Sequence, residues 1–158
     1  MEPNLAKQVM KVEDEIKQKT FKDPYHRLLV NIMFTGNWVQ RDLACQLRPY
    51  GISLQQHNVL SILRGQYPNP STLSLIQERM LDRMSNATRL VDKLLDKELV
   101  QRCQCPANRR KVDIVVTQKG LDLLAKTDAI TENMHKQYNN LTTQEAILVG
   151  QLLDKLRE

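Results

Sequence analysis

"SNATRLVDKLLDKELVQRCQCPANRRKVDIVVTQKG", Ser85–Gly120, decides how the rest of this chain is read. It opens on two short polar residues, Ser85 and Asn86, and then places Ala87, Leu90, Val91, Leu94 and Leu95 at helical spacing. That pattern predicts a helix starting near Ser85, running to about Lys97 and burying those five residues. Two apolar, β-prone runs follow, Leu99–Cys103 and Val112–Thr117. Between them lie a proline and three consecutive cations, Arg109, Arg110 and Lys111, which predicts a hairpin with a strongly positive tip.

Upstream, "GISLQQHNVLSIL" reads as a helix capped by Ser53 and running to about Leu63, with Val59, Leu60 and Leu63 inward. The two-proline loop "GQYPNPS" ends it. Ser71 or Thr72 then begins a short helix to about Arg79 carrying Leu73, Leu75 and Ile76, and a turn covers Leu81–Met84. From Ser53 the order is therefore helix, short helix, turn, helix, hairpin: a winged helix-turn-helix.

The flanks are helical. Leu5, Val9, Val12 and Ile16 make a narrow apolar stripe in a charged segment, which predicts a helix that packs on a partner. Asp23 and Pro24 signal the start of a long helix to about Arg48, stopped by Pro49 and Gly51. Cys45, among Leu43, Ala44 and Leu47, reads as packing. Thr117 is placed to cap a helix from Gln118 to about Asn139 that includes Leu121, Leu124, Ala125, Ile130 and Met134. Thr142 with Glu145 forms a capping box for the last helix. Its face of Ile147, Leu148, Val149, Leu152, Leu153 and Leu156 is too broad for a helix with one side in water, so intersubunit packing is expected. The fold class is mainly α with a small β-wing. Residues 1–50 and 119–158 are expected to supply N- and C-terminal dimerisation helices, and 51–118 the winged domain.

The chain has 158 residues, enough to bury a core without metals or disulfides. Its net charge is +5. From Arg79 to Lys119 there are ten cations against five acids, so this one segment carries the whole excess. A concentrated positive charge points to a polyanionic partner. Three cysteines form no secreted-style framework, and no apolar run resembles a signal peptide or a membrane span. The expected compartment is the reducing cytoplasm, at the nucleoid, with no membrane partner. Five glycines leave little material for a phosphate-cradling loop, and there is no Ser/His/Asp set or metal motif. An enzyme is not expected, nor is a cofactor or a metal.

Double-stranded DNA fits this arrangement. The major groove admits one α-helix. The helix near Ser85 presents Ser85, Asn86, Thr88 and Arg89 first, and a helix N-terminus favours phosphate. A narrow ribbon can deliver Arg109, Arg110 or Lys111 to the minor groove, whose potential is negative. The bland readings stand beside these: Ser85 as a simple N-cap, the wing cations as solvated turn charges, and Lys93 and Lys97 as solvent-facing or in i,i+4 pairs.

The same residues resemble the core signature of the MarR (multiple antibiotic resistance regulator) family of bacterial transcription factors. Thr88-Arg89-Leu90-Val91-Asp92 matches its recognition-helix element, Arg110 the wing Arg, and Thr117 with Gly120 the closing Thr-x-x-Gly. Two positions depart: Asn108 stands where the family has a wing Asp, and Glu98 where it has a glycine after the recognition helix. Glycine there serves as a left-handed cap, so Glu98 predicts a different helix end. The resemblance implies a homodimer on a pseudo-palindromic operator. It also implies a regulator, mostly a repressor in this family, released by a small phenolic or other apolar effector or by cysteine oxidation.

Two further sets have two readings each. Trp38 and His57 either line an effector cavity or are ordinary core and surface residues. Cys103 and Cys105 are either a redox switch, with Arg102 near enough to favour a thiolate, or plain cytosolic thiols. A winged-helix protein-interaction module without DNA binding is the rival functional class. Cations at both the helix start and the wing tip favour DNA over it.

Overall fold

The computed structural model describes residues 10–105, 108–137 and 140–158, and for positions 104, 105, 108–112, 131 and 134–137 the backbone alone. Leu5, Val9 and Asn139 therefore lie outside the described residues. Contacts divide the chain into two compact units, Met1–Cys45 and Gln46–Glu158.

In the first unit, α1 is a single turn, Val12–Glu15, with Val12 buried. The helix expected through Ile16 stops there, because Ile16 caps it and Lys17 enters the left-handed region at φ 54°. One short turn with one apolar anchor has little to offset the cost of helix nucleation. The longer α2, Pro24–Leu47, starts as expected. The Asp23 carboxylate accepts the His26 N–H at 2.9 Å, and Pro24 occupies the first helical position. Leu28, Leu29, Met33 and Trp38 on α2 are exposed. Cys45 is exposed too, so the packing role expected for it is not seen in the single chain.

The second unit begins at the end of α2. A 3-10 turn, Arg48–Tyr50, carries the chain to Gly51, whose φ of 68° suits a residue without a Cβ. Ser53 and Gln56 then form a reciprocal capping box on α3, Leu54–Arg64. Thr72, not Ser71, caps α4, Leu73–Arg79. Ser71 instead exchanges both backbone hydrogen bonds with Ile114 at 2.8 Å, adding a one-residue bridge to the wing sheet. α5, Ala87–Asp96, leads into β1, Val100–Cys105, and β2, Asn108–Val116. α6, Gln118–Gln137, and α7, Thr143–Leu156, complete the chain.

α3 is the hub, packed against α4, α5, α6 and β2. Its Val59, Leu60 and Leu63 meet a core that includes Ile76, Val91, Leu94, Ile114 and Leu124, all essentially inaccessible to solvent. Each such side chain contributes about 1.5–3 kcal/mol through burial, so Val91 and Leu94 fix which face of α5 remains outside. Leu90 and Leu95, expected to be buried with them, are half-buried, at the edges of that face.

The end of α5 corrects the expectation for Glu98. The helix closes with a Schellman motif: the Leu99 N–H reaches the Leu94 carbonyl at 3.0 Å, and the Glu98 N–H the Leu95 carbonyl at 2.8 Å. Glu98 itself takes the left-handed position, φ 58°. Leu94 and Leu99, the two apolar positions of the motif, are both buried, which supports a geometry that glycine would adopt more freely. Thr117 completes the joint. Its hydroxyl donates to the Glu98 carbonyl at 2.8 Å and accepts the Gly120 N–H at 3.1 Å, capping α6 while tying it to the end of α5. Gly120 sits so close to this joint that a Cβ there would lie 2.2 Å from the Leu99 carbonyl oxygen.

Candidate nucleic-acid interface

The mouth of α5 is built by side chains that carry no sequence signal of their own. Asn86, one residue later than the Ser85 expected, is the N-cap, its side-chain oxygen accepting the Arg89 N–H at 3.0 Å. Ser85 is engaged elsewhere, its hydroxyl donating to the Asp82 carboxylate at 2.6 Å. The same carboxylate accepts the Met84 N–H at 3.0 Å. The Ser85 hydroxyl and then the Met84 amide hold the Asp82 carboxyl below its ordinary range. From the other side, the Gln77 amide nitrogen donates to the carbonyls of Arg83 at 2.6 Å and Ser85 at 3.1 Å. Its oxygen accepts the Ala87 N–H at 3.2 Å. Asn58 on α3 accepts the Leu81 N–H at 3.0 Å. Three polar side chains, of Asn58, Gln77 and Asp82, thus fix the turn between α4 and α5.

Above this scaffold Asn86, Thr88 and Arg89 are exposed and Ser85 is half-buried. Arg79 and Arg83 are exposed as well, and among the described residues none of Arg79, Arg83 and Arg89 forms an ion pair. Asp82, the acid within the turn, is occupied by the turn's own donors. Those neutral donors leave its negative charge in place, and the three arginines outweigh it, which gives a net positive patch around a helix N-terminus, where the helix dipole adds to it.

The wing differs from its expected shape. β1 and β2 are antiparallel, with Val100 opposite Val116 and Cys103 opposite Asp113. The strands extend further than Leu99–Cys103 and Val112–Thr117 suggested. Cys105 pairs with Asn108 and Gln104 with Val112, so β2 carries three residues, Arg109–Lys111, where β1 has none. The cations therefore lie in a bulge on β2 and not in the connecting tip. Runs of cations carry little strand propensity of their own, so the pairing was not visible in them; a bulge bends and twists the ribbon at that point. The side chains of Asn108, Arg109, Arg110, Lys111 and Cys105 lie outside the described residues.

Arg102 pairs with Asp92 of α5 at 2.6 Å, which ties the ribbon to the helix. Strand alternation sets its side chain on the face opposite Cys103. Cys103 is half-buried, and its thiol donates to the Asp113 carbonyl at 3.5 Å. Lys97, expected in solvent or an i,i+4 pair, donates across to the Gly51 carbonyl and the Gln56 side chain.

Trp38 and His57 lie in different units. Trp38 lines a cavity of about 250 Å³ with Met10, Val12, Glu15, Asn31, Phe34 and Thr35. His57 links α3 to α6. The Thr127 hydroxyl donates to the Leu124 carbonyl at 2.9 Å, so it accepts from His57 Nε2 at 3.2 Å. Burial, then the Arg64 guanidinium, lowers the His57 pKa below 6.5, with Asp128 opposing. Among the described residues no three His, Cys, Asp or Glu side chains gather as a metal site. Nor is any helix there long and apolar enough to cross a membrane.

A sequence model of the MarR family matches residues 52–112, which run from the approach to α3 into β2. This stretch is similar to the domain that defines that family. The MarR resemblance extends beyond it in three dimensions. A MarR-like transcription regulator from Bacillus cereus superposes with a TM-score of 0.74 at 22% identity, over 84% of this chain and 95% of that one. A mutant MarR from E. coli, solved in complex with operator DNA, gives 0.72 at 23% identity, over 85% and 99%. BpsR of Bordetella bronchiseptica, whose DNA binding is regulated by 6-hydroxynicotinic acid, gives 0.60 at 19% identity, over 78% and 98%. The chain has the fold of MarR-family transcriptional regulators, mostly helical with a two-stranded wing. No curated protein sequence matches it.

Proposed function

We infer that the chain is a homodimeric, sequence-specific transcriptional regulator, a repressor, acting on double-stranded DNA in the cytoplasm. The observation that carries this reading is the exposed set of Asn86, Thr88 and Arg89 at the mouth of α5, on a turn fixed by Gln77, Asp82 and Asn58. That end of α5 enters the major groove, where Ser85, Asn86, Thr88 and Arg89 meet phosphates and base edges. Arg110 of the wing enters the minor groove, with Arg109 and Lys111 on the flanking backbone.

Residues 51–118 bind the DNA, and 1–50 with 119–158 join two copies. In support, α7 buries none of its residues, and its Ile147, Leu148, Leu152 and Leu156 are about half exposed. A second copy covering that face removes the cost of leaving it in water. A small apolar effector, held at the Trp38 cavity, releases the DNA. The structural neighbour regulated by 6-hydroxynicotinic acid supports an effector of this size.

Selection from random duplex DNA tests the reading. The expected product is a pseudo-palindrome with half-sites about 10 bp apart, as a two-fold dimer reads DNA. Failure to enrich any sequence, with the protein folded and dimeric, overturns it.

A further inference from the structure

The turn that leads into α5 exposes two large apolar side chains, Leu81 at 88% and Met84 at 94%. Neither exposure is a by-product of looseness. The Met84 N–H is bonded to Asp82, the Leu81 N–H to Asn58, and the carbonyls of Arg83 and Ser85 to Gln77. The backbone on both sides of Met84 is thus held by side chains from α3, α4 and the turn itself. Such a turn holds the Met84 backbone outside the core, and the apolar side chain is presented outward. It stands two residues before the Asn86 cap and between Arg83 and Arg89, both exposed and free of ion pairs among the described residues. The charge around it fits a polyanion and does not fit a basic or neutral protein groove.

We propose that Met84 is a base-reading residue: its side chain packs on the C5 methyl of a thymine in the major groove beside the mouth of α5. The inference rests on the DNA-binding reading and adds to it a source of specificity. Among the groups that a base pair shows in the major groove, the thymine methyl is the one apolar feature. A flexible thioether can follow its position at small cost in fit. Arg83 and Arg89 anchor phosphates on either side, which sets the depth at which Met84 reaches the bases. In this geometry the polar residues Asn86 and Thr88 and the apolar Met84 report on neighbouring base pairs.

The test uses the full-length protein and the duplex recovered by selection. Each dT is replaced in turn by dU, which removes the C5 methyl and nothing else. The parent protein is expected to lose about 4-fold in affinity at one position in each half-site, the weight of one buried carbon group. Met84→Ala, which removes the contact from both half-sites of the dimer, is expected to bind the parent duplex about 16-fold more weakly and to be indifferent to dU at that position. Met84→Leu restores the sensitivity. Because Met84 is exposed, the Ala variant should melt with the parent, and circular dichroism confirms that it is folded. Sensitivity that survives in Met84→Ala overturns the inference, as does a parent protein indifferent to every dU. In either case specific binding still stands, and the exposed Met84 serves a protein contact. A chain for which no sequence is selected overturns the DNA reading and this inference with it.

Discussion

Gly120→Ala is the sharpest test of the joint between α5, the wing and α6. An added Cβ would stand 2.2 Å from the Leu99 carbonyl oxygen and 2.7 Å from Val116 Cγ2. The Val116 contact is a side-chain atom and can yield. The Leu99 carbonyl cannot yield cheaply, because it accepts the Thr117 N–H at 3.1 Å and belongs to the residue that closes the Schellman motif. Relief requires α6 to back away from the wing or that hydrogen bond to break. Overpacking of this kind costs about 1–3 kcal/mol, and a lost backbone hydrogen bond adds about 1 kcal/mol. A total of about 3 kcal/mol is a large share of the 5–15 kcal/mol typical of a domain. It corresponds to a fall in melting temperature of roughly 10 °C. Thermal melts followed by circular dichroism would read it, with Gly65→Ala as the control. A Cβ at Gly65 meets nothing closer than 3.5 Å, and that variant is expected to melt with the parent. Gly120→Ala melting within about 2 °C of the parent would refute the close approach and the reasoning built on it.

Other outcomes follow from the same geometry. Glu98→Gly is expected to raise the melting temperature by a few degrees, since glycine occupies the φ 58° position without strain; a decrease in a melt at neutral pH would contradict the Schellman assignment. His57 is held neutral by burial, so its folded-state pKa lies below 6.5. Its contribution to stability is full above that value and is lost as pH falls from there through the folded-state pKa. Urea midpoints at about pH 7.5 and 5.5 should diverge in the parent and converge in His57→Gln, which keeps a donor for Thr127. Asn86→Ala removes the cap of α5 and is expected to cost about 1 kcal/mol in urea denaturation. Arg110→Ala should weaken DNA binding several-fold while leaving dimerisation, read by sedimentation, unchanged.

Local signals carried most of the secondary structure into the sequence. Asp23-Pro24, Ser53 with Gln56, and Thr142 with Glu145 are caps whose partners lie within three residues, and each forms as its spacing implies. The same holds for the apolar period that buries Val59, Leu60, Leu63, Val91 and Leu94. Ser71 and Thr72, adjacent candidate caps, could not be separated by spacing alone, and the cap expected at Ser85 falls one residue later, on Asn86. The displaced serines are used elsewhere, Ser71 in the bridge to Ile114 and Ser85 on Asp82. Contacts between distant residues were invisible: Asn58 on the Leu81 amide and Lys97 on the Gly51 carbonyl have no sequence period. Gln77 illustrates the limit best. An ordinary residue on a short helix organises the whole approach to α5 because of where three backbone groups fall around it. The wing cations were legible as charge but not as a bulge, since strand register depends on the partner strand.

The most direct measurement is a fluorescence anisotropy titration of a labelled duplex from the region upstream of the coding sequence, beside a scrambled duplex, across a series of salt concentrations. It is run with the parent protein and with Arg89→Ala. The account predicts tighter binding to the upstream duplex, with affinity falling steeply as salt rises. Arg89→Ala should bind more weakly and with a shallower salt slope, by about one counterion for each lost phosphate contact. Equal, salt-insensitive binding of both duplexes, unchanged in Arg89→Ala, would contradict the claim that the mouth of α5 meets DNA.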